Sequence, residues 1–356
     1  MLLKEIVEKL EKSPLKAGDG RSQGKYPLYT CSAILSKYYD EYLYDTEALI
    51  IGTGGTPSIN YCNGKFCTST DCWTLITKNG YKTKYLYYYL QYKIDEIEKM
   101  FRGAGLKHLN REAFFNMSIP KELIDNQELI INSLDRISEA IEIRKRQLEV
   151  LDELIKSQFV EMFELDKYEQ LPLSDCSNFI DYRGHTPEVS NNGDIRMINA
   201  KSVGKGVFKY IDEYVTEELY NKWMHRGFAF PGDVLFVTEG HTFGNTCRVP
   251  EELKKFALGQ RVITIQGNEM LNNVYLSVYM QLDEFMNKIN QYKTGGTAQG
   301  IRSKDLAKIT IPIPPIEQQN KFADFVKQVD KQKFEMQKSL KEMQNLYDSL
   351  MAEYFE

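Results

Sequence analysis

The 356-residue sequence is poor in the residues on which catalytic and metal centres commonly depend. It contains four histidines, six cysteines and two tryptophans. It has no GxxxxGK[ST] phosphate-binding loop and no HExxH zinc motif. Its Pro-Pro pair, Pro314-Pro315, is followed by Ile316, where an amino-methyltransferase motif would carry an aromatic residue. These absences exclude a P-loop NTPase and an HExxH metalloprotease, and they argue against an autonomous methyltransferase.

Long apolar runs are also missing. No stretch approaches the roughly 18 consecutive apolar residues that a membrane-spanning helix needs. The N-terminal segment MLLKEIVEKLEK alternates charged and apolar residues, which predicts an amphipathic helix and not a signal peptide. Six cysteines in a chain of this length do not form a disulfide framework. We therefore expect no membrane segment and a cytoplasmic location.

Three cysteines are close together in the sequence. Cys62, Cys67 and Cys72 follow a C-x4-C-x4-C spacing, with Cys31 upstream. Zinc sites prefer tighter C-x2–4-C pairs in two separated sets. We therefore favour buried free thiols and expect no metal, with a metal site as the alternative. A melting curve that chelation leaves unchanged would exclude the metal.

The sequence does contain a long internal repeat. Ile119-Pro120 recurs as Ile311-Pro312, and five further residues recur at the same offset of 192: Leu154, Ser157, Glu161, Phe163 and Glu164. Upstream the offset changes but the pattern persists, since ALIIGTGGT (48–56) resembles VLFVTEGHT (234–242), and GKYPLYTCSAI (24–34) resembles GDIRMINAKSV (193–203). A period this long indicates two copies of one unit and not a solenoid.

Each copy ends in a segment typical of a long helix. Residues 121–164 contain no proline or glycine, and apolar residues alternate at spacings of 3 and 4, as in an a/d heptad seam. The seam of the first segment consists of Ile130, Leu134, Ile137, Ile141, Leu148, Leu151 and Ile155. The seam of the second consists of Phe322, Val326, Val329, Met336, Leu340, Met343, Tyr347 and Leu350. A helix over each 44-residue segment would be about 66 Å long.

These features predict the fold class and the domain organisation. A narrow apolar stripe needs a partner helix, and the other copy in the same chain is the favoured partner. Another subunit or a self-dimer is the alternative. The remaining segments alternate short apolar runs with Gly, Asn, Asp and Pro clusters, as strands and turns do. We predict an α+β protein with a pseudo-two-fold repeat. Globular domains cover 1–120 and 165–312, and long helices cover 121–164 and 313–356 and pair as an antiparallel coiled coil.

Glycine-rich elements occur at corresponding places in the two copies. They are IGTGGTP (51–57), RGAGLKH (102–108), TEGHTFGN (238–245) and KTGGTAQG (293–300). None has the strand–GxGxxG–helix context of a dinucleotide site. Backbone N–H groups and short hydroxyls in such loops suit phosphate oxygens. The alternative interpretation, that these elements are only tight turns between strands, has equal weight.

The net charge of −5 is unevenly distributed along the chain. Residues 1–120 carry 16 basic and 13 acidic side chains, and residues 165–312 carry 17 and 18. The segments 121–164 and 313–356 carry 6 basic against 11 acidic and 6 against 8. The acidity therefore lies on the long helices, and the globular domains are close to neutral. A nucleic-acid partner is compatible with this distribution.

The order of globular domain, long helix, globular domain and long helix resembles the DNA-specificity subunits of type I restriction–modification systems. The motifs that carry the resemblance are LIIGTGGTPSINYCNGKFCTSTDCWTL (49–75), FIDYRGHTPEVS (179–190), IRMINAKSV (195–203), PGDVLFVTEG (231–240) and TGGTAQGIRSKDLAKITIPIPPIEQQ (294–319). The first domain departs from the pattern because it lacks a Gly-His-Thr-Pro loop, and Gly18–Arg21 lies about where that loop belongs.

The resemblance implies a non-catalytic subunit of an adenine-N6 methyltransferase complex. Each globular domain would be a target-recognition domain for one half of a bipartite double-stranded DNA target. The helices would set the half-site spacing and dock methyltransferase subunits, expected to be two, and restriction (motor) subunits would join through the complex. The chain itself would bind no cofactor, while S-adenosylmethionine, ATP and Mg²⁺ would belong to its partners. No catalytic residue is predicted.

Candidate DNA contacts are polar side chains in the predicted loops, because Arg and Gln can bond base edges and Ser, Thr and Lys suit phosphate. In the first domain they are Arg21, Ser22, Lys25, Thr56, Lys65, Ser69 and Thr70. In the second they are Arg183, His185, Thr186, His241, Thr242, Gln260 and Arg261. Two alternatives remain: the specificity subunit of a type II system with a split target, and a coiled-coil scaffold that joins two protein-binding domains. A scaffold would lack salt-dependent, sequence-selective DNA affinity.

Overall fold

The chain divides into two compact units. A computed structural model describes residues 1–120, 126–182, 187–292 and 299–356. Unit 1 consists of Met1–Arg146 and Gln337–Glu356, and unit 2 consists of Gln147–Met336. Each unit therefore combines one globular segment with a part of each long helix. The division into four segments at 120, 164 and 312 stays a prediction.

The globular part of unit 1 is an α+β domain. Its strands are β1 (Val7–Lys9), β2 (Tyr26–Tyr29), β3 (Tyr38–Tyr39), β4 (Tyr44–Gly52), β5 (Ser58–Thr68), β6 (Cys72–Thr77), β7 (Phe101–Arg102) and β8 (His108–Leu109). Its helices are α1 (Leu3–Ile6), α2 (Thr83–Tyr92), α3 (Ile94–Glu98) and α4 (Arg111–Phe115). Six strands form one sheet in the order β1-β6-β4-β5-β2-β3, and β7 pairs with β8. The buried run Ala48–Ile51 explains why β4 lies inside the sheet.

Unit 2 begins with the C-terminal part of the first long helix, α5 (Gln127–Met162). Its strands are β9 (Gln170–Pro172), β10 (Ser177–Asp181), β11 (Ile195–Ile198), β12 (Tyr214–Val215), β13 (Val234–Val237), β14 (Thr246–Arg248), β15 (Phe256–Leu258), β16 (Val262–Gly267) and β17 (Thr310–Pro312). Its shorter helices are α6 (Leu173–Cys176), α7 (Glu217–Trp223), α8 (Asn273–Tyr279), α9 (Asp283–Gln291) and α10 (Ser303–Leu306). The second long helix, α11, covers Ile316–Phe355.

The two globular parts share one strand topology. Unit 2 has a four-stranded sheet, β10-β16-β13-β14, a three-stranded sheet, β12-β11-β15, and the pair β17-β9. In unit 1, β5 pairs with β4 along its whole length and also, in parallel, with β2. In unit 2 these two roles are divided, because β14 pairs with β13 and β15 pairs in parallel with β11. The intervening residues 249–255 thus split one long strand into two.

The predicted seam positions are buried or half-buried in both long helices. Helix α5 has 36 residues and α11 has 40, so they are about 54 and 60 Å long. In unit 1, Ile130 and Leu134 belong to the same core as Met351 and Phe355. That core also contains Tyr85, whose ring centroid lies 5.6 Å from that of Phe355.

The contacts inside unit 2 give the direction in which its two helix segments pair. Phe159 lies 5.3 Å from Phe322, ring centroid to centroid. About two turns earlier in α5, Asp152 forms an ion pair with Lys333, which follows Phe322 in α11. The segments therefore run antiparallel, as predicted. Lys333 lies between Val329 and Met336 in the heptad series, and its bond to the exposed carboxylate of Asp152 lets its charge stay near solvent. Among the described residues, no helix is long and apolar enough to cross a bilayer.

Candidate nucleic-acid interface

A tight turn follows the central strand in each unit and is held by equivalent hydrogen bonds. In unit 1 the turn follows β4: Thr53 N donates to Asp71 O at 3.0 Å, and Leu109 N donates to Thr53 O at 2.9 Å. Gly55 N donates to Lys107 O at 2.9 Å. The turn is therefore joined to the loop before β6 and to β8, which precedes α4.

Unit 2 repeats this arrangement after β13. Thr238 N donates to Arg261 O at 2.9 Å, Ile301 N donates to Thr238 O at 2.9 Å, and Gly240 N donates to Gln299 O at 3.0 Å. In both units the threonine hydroxyl donates to the same carbonyl oxygen that accepts the threonine N–H. The distances are 2.6 Å from Thr53 Oγ1 to Asp71 O and 3.2 Å from Thr238 Oγ1 to Arg261 O. We call these two structures the duplicated turn.

The hydrogen bonds give an alignment of the two copies. They pair Thr53 with Thr238 and Gly55 with Gly240, and both glycines have a left-handed φ, +82° and +93°. The resemblance of ALIIGTGGT to VLFVTEGHT, aligned residue by residue, pairs Gly52 with Thr238 and is wrong by one position. The alignment of 24–34 with 193–203 is confirmed, because Leu28 and Met197 occupy the same place in the parallel pairs β2–β5 and β11–β15.

In unit 1 the duplicated turn collects polar and basic groups from distant parts of the chain. His108 pairs with Gly54 as an isolated bridge and is exposed. Thr56 is exposed at the end of the turn. Thr70 precedes Asp71, whose carbonyl accepts the Thr53 N–H, and Thr70 N donates to Leu15 O at 2.6 Å. The turn in IGTGGTP and the element RGAGLKH therefore meet. The tight-turn interpretation of these glycine-rich elements holds for the described residues, and phosphate binding by them stays a prediction.

Two cysteines lie beneath this turn. Cys31 Sγ lies 3.2 Å from Asp71 O. A hydrogen bond from the Cys72 thiol, assisted by the backbone N–H groups of Gly54 and Thr53, lowers the pKa of Cys31 to about 6, although burial opposes the shift. The same bond, together with burial, raises the pKa of Cys72. Cys31 is half-buried and Cys72 is buried, so Cys31 is the more acidic and the more accessible thiol of the pair.

In unit 2 the predicted residues Gln260 and Arg261 line a cavity of about 310 Å³. The other lining residues are Val189, Met197, Asn199, Ala200, Lys201 and Glu213. Arg261 has a left-handed φ of 68°, which is uncommon for a residue with a side chain. Its guanidinium lies 3.1 Å from Glu239 of the turn, and both side chains are about half exposed.

A polar network fixes the opposite wall of this cavity. Lys201 Nζ lies 2.5 Å from Glu213 Oε1, and Asn199 Nδ2 donates to Glu213 Oε2 at 2.6 Å. The Lys201 bond is the main cause that lowers the pKa of Glu213. The cavity therefore presents two ion-paired cations, Lys201 and Arg261, and the amides of Asn199 and Gln260, groups that can bond base edges and phosphate.

The remaining predicted contacts fall into three groups. Arg21, Ser22 and Lys25 lie in the exposed segment before β2, where Arg21 pairs with Asp40 at 3.1 Å. Lys65 is exposed on β5, 4.5 Å above the Tyr42 ring. These four do not belong to the duplicated turn. His241, exposed, and Thr242, half-buried, continue the turn in unit 2. Arg183, His185 and Thr186 lie outside the described residues.

Ser69 requires a correction. Its side chain is 1% exposed, and its Oγ lies 3.5 Å from Cys72 Sγ inside the domain. Ser69 N donates to Tyr29 O at 2.7 Å, which continues the β2–β5 pairing and turns the residue inward. In this structure Ser69 supports the fold of the turn and has no surface with which to contact DNA.

Three residues of the site lie in motifs that the sequence singles out but are not among the predicted DNA contacts. Thr53, His108 and Lys201 come together with the predicted residues only through pairing of distant segments. The repeat could have indicated the two threonines if it had been aligned by hydrogen-bonding position. Within the described part of the chain, no group of His, Cys, Asp and Glu side chains could hold a metal ion, and all six cysteines are unbridged.

Comparison with known proteins identifies the family. The family described as "Type I restriction modification DNA specificity domain" matches residues 1–153 and 169–343. The chain belongs to this family. It is 22% identical to the type I restriction enzyme EcoDI specificity subunit of Escherichia coli, over 98% of this chain and 85% of that protein. It is also 22% identical to the type I restriction enzyme MjaVIII specificity subunit of Methanocaldococcus jannaschii, over 94% and 88%.

The fold of a type I specificity subunit agrees with this assignment. A crystal structure of the type I restriction–modification S subunit from M. genitalium superposes with a TM-score of 0.66 at 15% identity, covering 100% of this chain and 95% of that one. The predicted α+β class is thereby confirmed. The duplicated turn occurs once in each globular part of this chain.

Proposed function

We propose that this chain is the non-catalytic subunit that gives a type I restriction–modification complex its DNA sequence specificity. Each globular part recognises one half of a bipartite double-stranded target. The observation that carries the proposal is the duplicated turn. Its backbone hydrogen bonds are the same in both units, while the side chains at equivalent places differ: Thr70 corresponds to Gln260, and Asp71 corresponds to Arg261. One scaffold with two sets of side chains is what recognition of two different half-sites requires.

The partners in this proposal supply the chemistry. Two methyltransferase subunits bind the helices and nearby surfaces, use S-adenosylmethionine and methylate adenine, and restriction subunits with ATP and Mg²⁺ complete the complex. The near-neutral charge of the globular parts supports a division of labour. Phosphate affinity then depends largely on the partners, and this chain supplies base selectivity. The long helices set the distance between the half-sites.

Co-expression with the neighbouring methyltransferase subunit, followed by genome-wide mapping of methylated adenines, tests the proposal. We expect a bipartite motif with a fixed gap. Arg261→Ala should relax the base preference in one half only, because its equivalent in the other copy is Asp71. The matched control is Lys308→Ala, an exposed cation of unit 2 that lies outside the turn and the cavity.

Methylation without a common motif, or relaxation of both halves together, would contradict the proposal. A scaffold that joins two protein-binding domains predicts the first result. The gap can be tested separately by inserting one heptad into α5 and one into α11. If the helices set the spacing, the gap should change while both half-sites stay the same.

A further inference from the structure

A cationic cleft lies in unit 1, outside every loop for which a DNA contact is predicted. Its volume is about 570 Å³, and it is lined by Lys4, Val7, Lys9, Arg111, Glu112, Phe115 and Asn116. Helix α1 and strand β1 form one side of it, and helix α4 forms the other. Strand β1 is the edge strand of the six-stranded sheet.

The cleft is lined by three basic side chains, Lys4, Lys9 and Arg111, and by one acidic side chain, Glu112. Among the described residues, Lys4, Lys9 and Arg111 form no ion pair with a carboxylate. Burial lowers the pKa of Lys9, and the positive charges of Arg111 and Lys12 lower it further. Side chains of like charge that lie this close repel one another, so the protein gains from an anion that binds between them.

Neutral groups hold these side chains in place. Lys9 Nζ lies 5.3 Å from the centroid of the Trp73 ring, and Arg111 Cζ lies 5.9 Å from that of Phe115. Lys4 Nζ donates to Asn116 Oδ1 at 2.9 Å. Cation–π contacts and an amide hydrogen bond restrict the side chains but leave their charge in place. The cleft is therefore ordered for an anionic ligand.

The cleft adjoins the duplicated turn of unit 1. Leu109, whose N–H donates to Thr53 O, is separated from Arg111 by Asn110. Asn110 is the N-cap of α4, since its Oδ1 accepts from Ala113 N at 3.0 Å. Helix α4 is thus fixed to the turn, and a ligand that contacts the turn can extend towards Arg111.

Unit 2 carries its charges at other places of the corresponding surface, because the offset of 192 places Lys304 and Lys308 where unit 1 has Glu112 and Asn116. The pairing of β1 with β6 matches that of β10 with β16, which places Phe179 where unit 1 has Lys9. The offset of 192 places Ser303 where unit 1 has Arg111. Because the same fold forms without these cations, they are not required for folding.

We propose that this cleft binds the phosphodiester backbone of duplex DNA next to the half-site that unit 1 recognises. Lysine, arginine and amide groups are the usual partners of phosphate oxygens. The inference rests on the proposed function, because it takes the duplicated turn to contact DNA. A phosphate contact carries no base information, so the cleft adds affinity and register without adding sequence selectivity. An acidic surface of the methyltransferase partner is the competing occupant.

The test uses the complex with its methyltransferase subunits and three variants, Lys9→Gln, Arg111→Gln and the double variant. The control is Lys78→Gln, an exposed cation that follows β6 and does not line the cleft. DNA affinity is measured between about 50 and 200 mM salt on a target duplex and on a scrambled duplex. Each phosphate contact contributes about 0.9 to the slope of log affinity against log salt.

We expect each single variant to lower that slope by about 0.9 and the double variant by about 1.8, equally on both duplexes. Over this fourfold range of salt, a slope change of 0.9 is an about 3.5-fold change in the ratio of affinities. The ratio of target to scrambled affinity should not change, and Lys78→Gln should equal the wild type. Arg111 is exposed, so Arg111→Gln tests the cleft even if Lys9→Gln disturbs packing against Trp73.

Three results would overturn the inference. Unchanged slopes would show that no phosphate occupies the cleft. Loss of affinity on the target alone would mark a base contact. Weaker assembly with the methyltransferase in the absence of DNA, with normal slopes, would assign the cleft to a protein surface. A wild-type complex that binds both duplexes equally contradicts the proposed function but still gives a slope that tests the cleft.

Discussion

Arg261 has a backbone conformation that allows a sharp prediction about stability. Its φ of 68° lies in the left-handed region, which costs a residue with a Cβ about 1 kcal/mol or more. Glycine adopts this region freely, whereas at ordinary positions glycine is less stable than alanine by about 0.5–1 kcal/mol. We therefore expect the order to be reversed here, with Arg261→Gly more stable than Arg261→Ala by about 1 kcal/mol.

The ion pair does not change this comparison. Both variants lose the 3.1 Å contact with Glu239, whose partners are each 53% exposed, so its contribution of less than about 1 kcal/mol cancels. Gln260 is the matched control, because its φ is not positive. At that position alanine should be the more stable substitution.

Equilibrium unfolding in urea measures the four variants under one set of conditions. Methylation mapping of the two Arg261 variants should show the same loss of preference in one half-site, because both lack the guanidinium. An alanine variant at 261 that is as stable as the glycine variant would refute the assignment of backbone strain. The same stability difference between the glycine and alanine variants at position 260 as at position 261 would also refute it.

Further predictions concern the helix pair, the cysteines and the turn. Phe159→Ala should cost about 3–5 kcal/mol in urea unfolding, since Phe159 is 0% exposed and packs on three other rings, whereas Val160→Ala, at 65% exposure, should change stability by less than about 0.5 kcal/mol. Cys31, with its pKa lowered to about 6, should react with iodoacetamide at a rate that is nearly constant above about pH 7 and falls below pH 6; a rate that keeps rising to pH 9, as for an ordinary thiol, would contradict the lowered pKa. Thr238→Val should lower the free energy of unfolding by about 1 kcal/mol and weaken the base preference in one half-site, because it removes the hydroxyl bond to Arg261 O. Thr238→Ser keeps a hydroxyl and should retain the stability and the base preference.

The sequence predicted those features that depend on short-range patterns. Alternating spacings of 3 and 4 indicated both long helices, because one stripe of each must be buried. Identical residues at a constant offset indicated the duplication. The alignment of residues 24–34 with 193–203 was correct, since no insertion interrupts that stretch.

Insertions account for the errors in the repeat. Residues 249–255 divide into two strands what is one continuous strand in unit 1, and the offset changes from 185 at the duplicated turn to 190 at β6 and β16. Similarity of short apolar runs cannot locate such a change to one residue, because neighbouring apolar positions are alike. Hydrogen bonds define the register and placed Thr53 opposite Thr238.

By itself, the sequence determined that this protein has two copies of an α+β domain, each followed by a long helix whose apolar stripe needs a partner. These properties follow from patterns that repeat along the sequence itself. The tertiary structure alone decided that Thr53, Asp71 and Leu109 meet at one turn, that Ser69 is buried beside it, and that Lys9 and Arg111 share a cleft. Those contacts join residues far apart in the chain, and their hydrogen bonds and charges exist only when the fold brings them together.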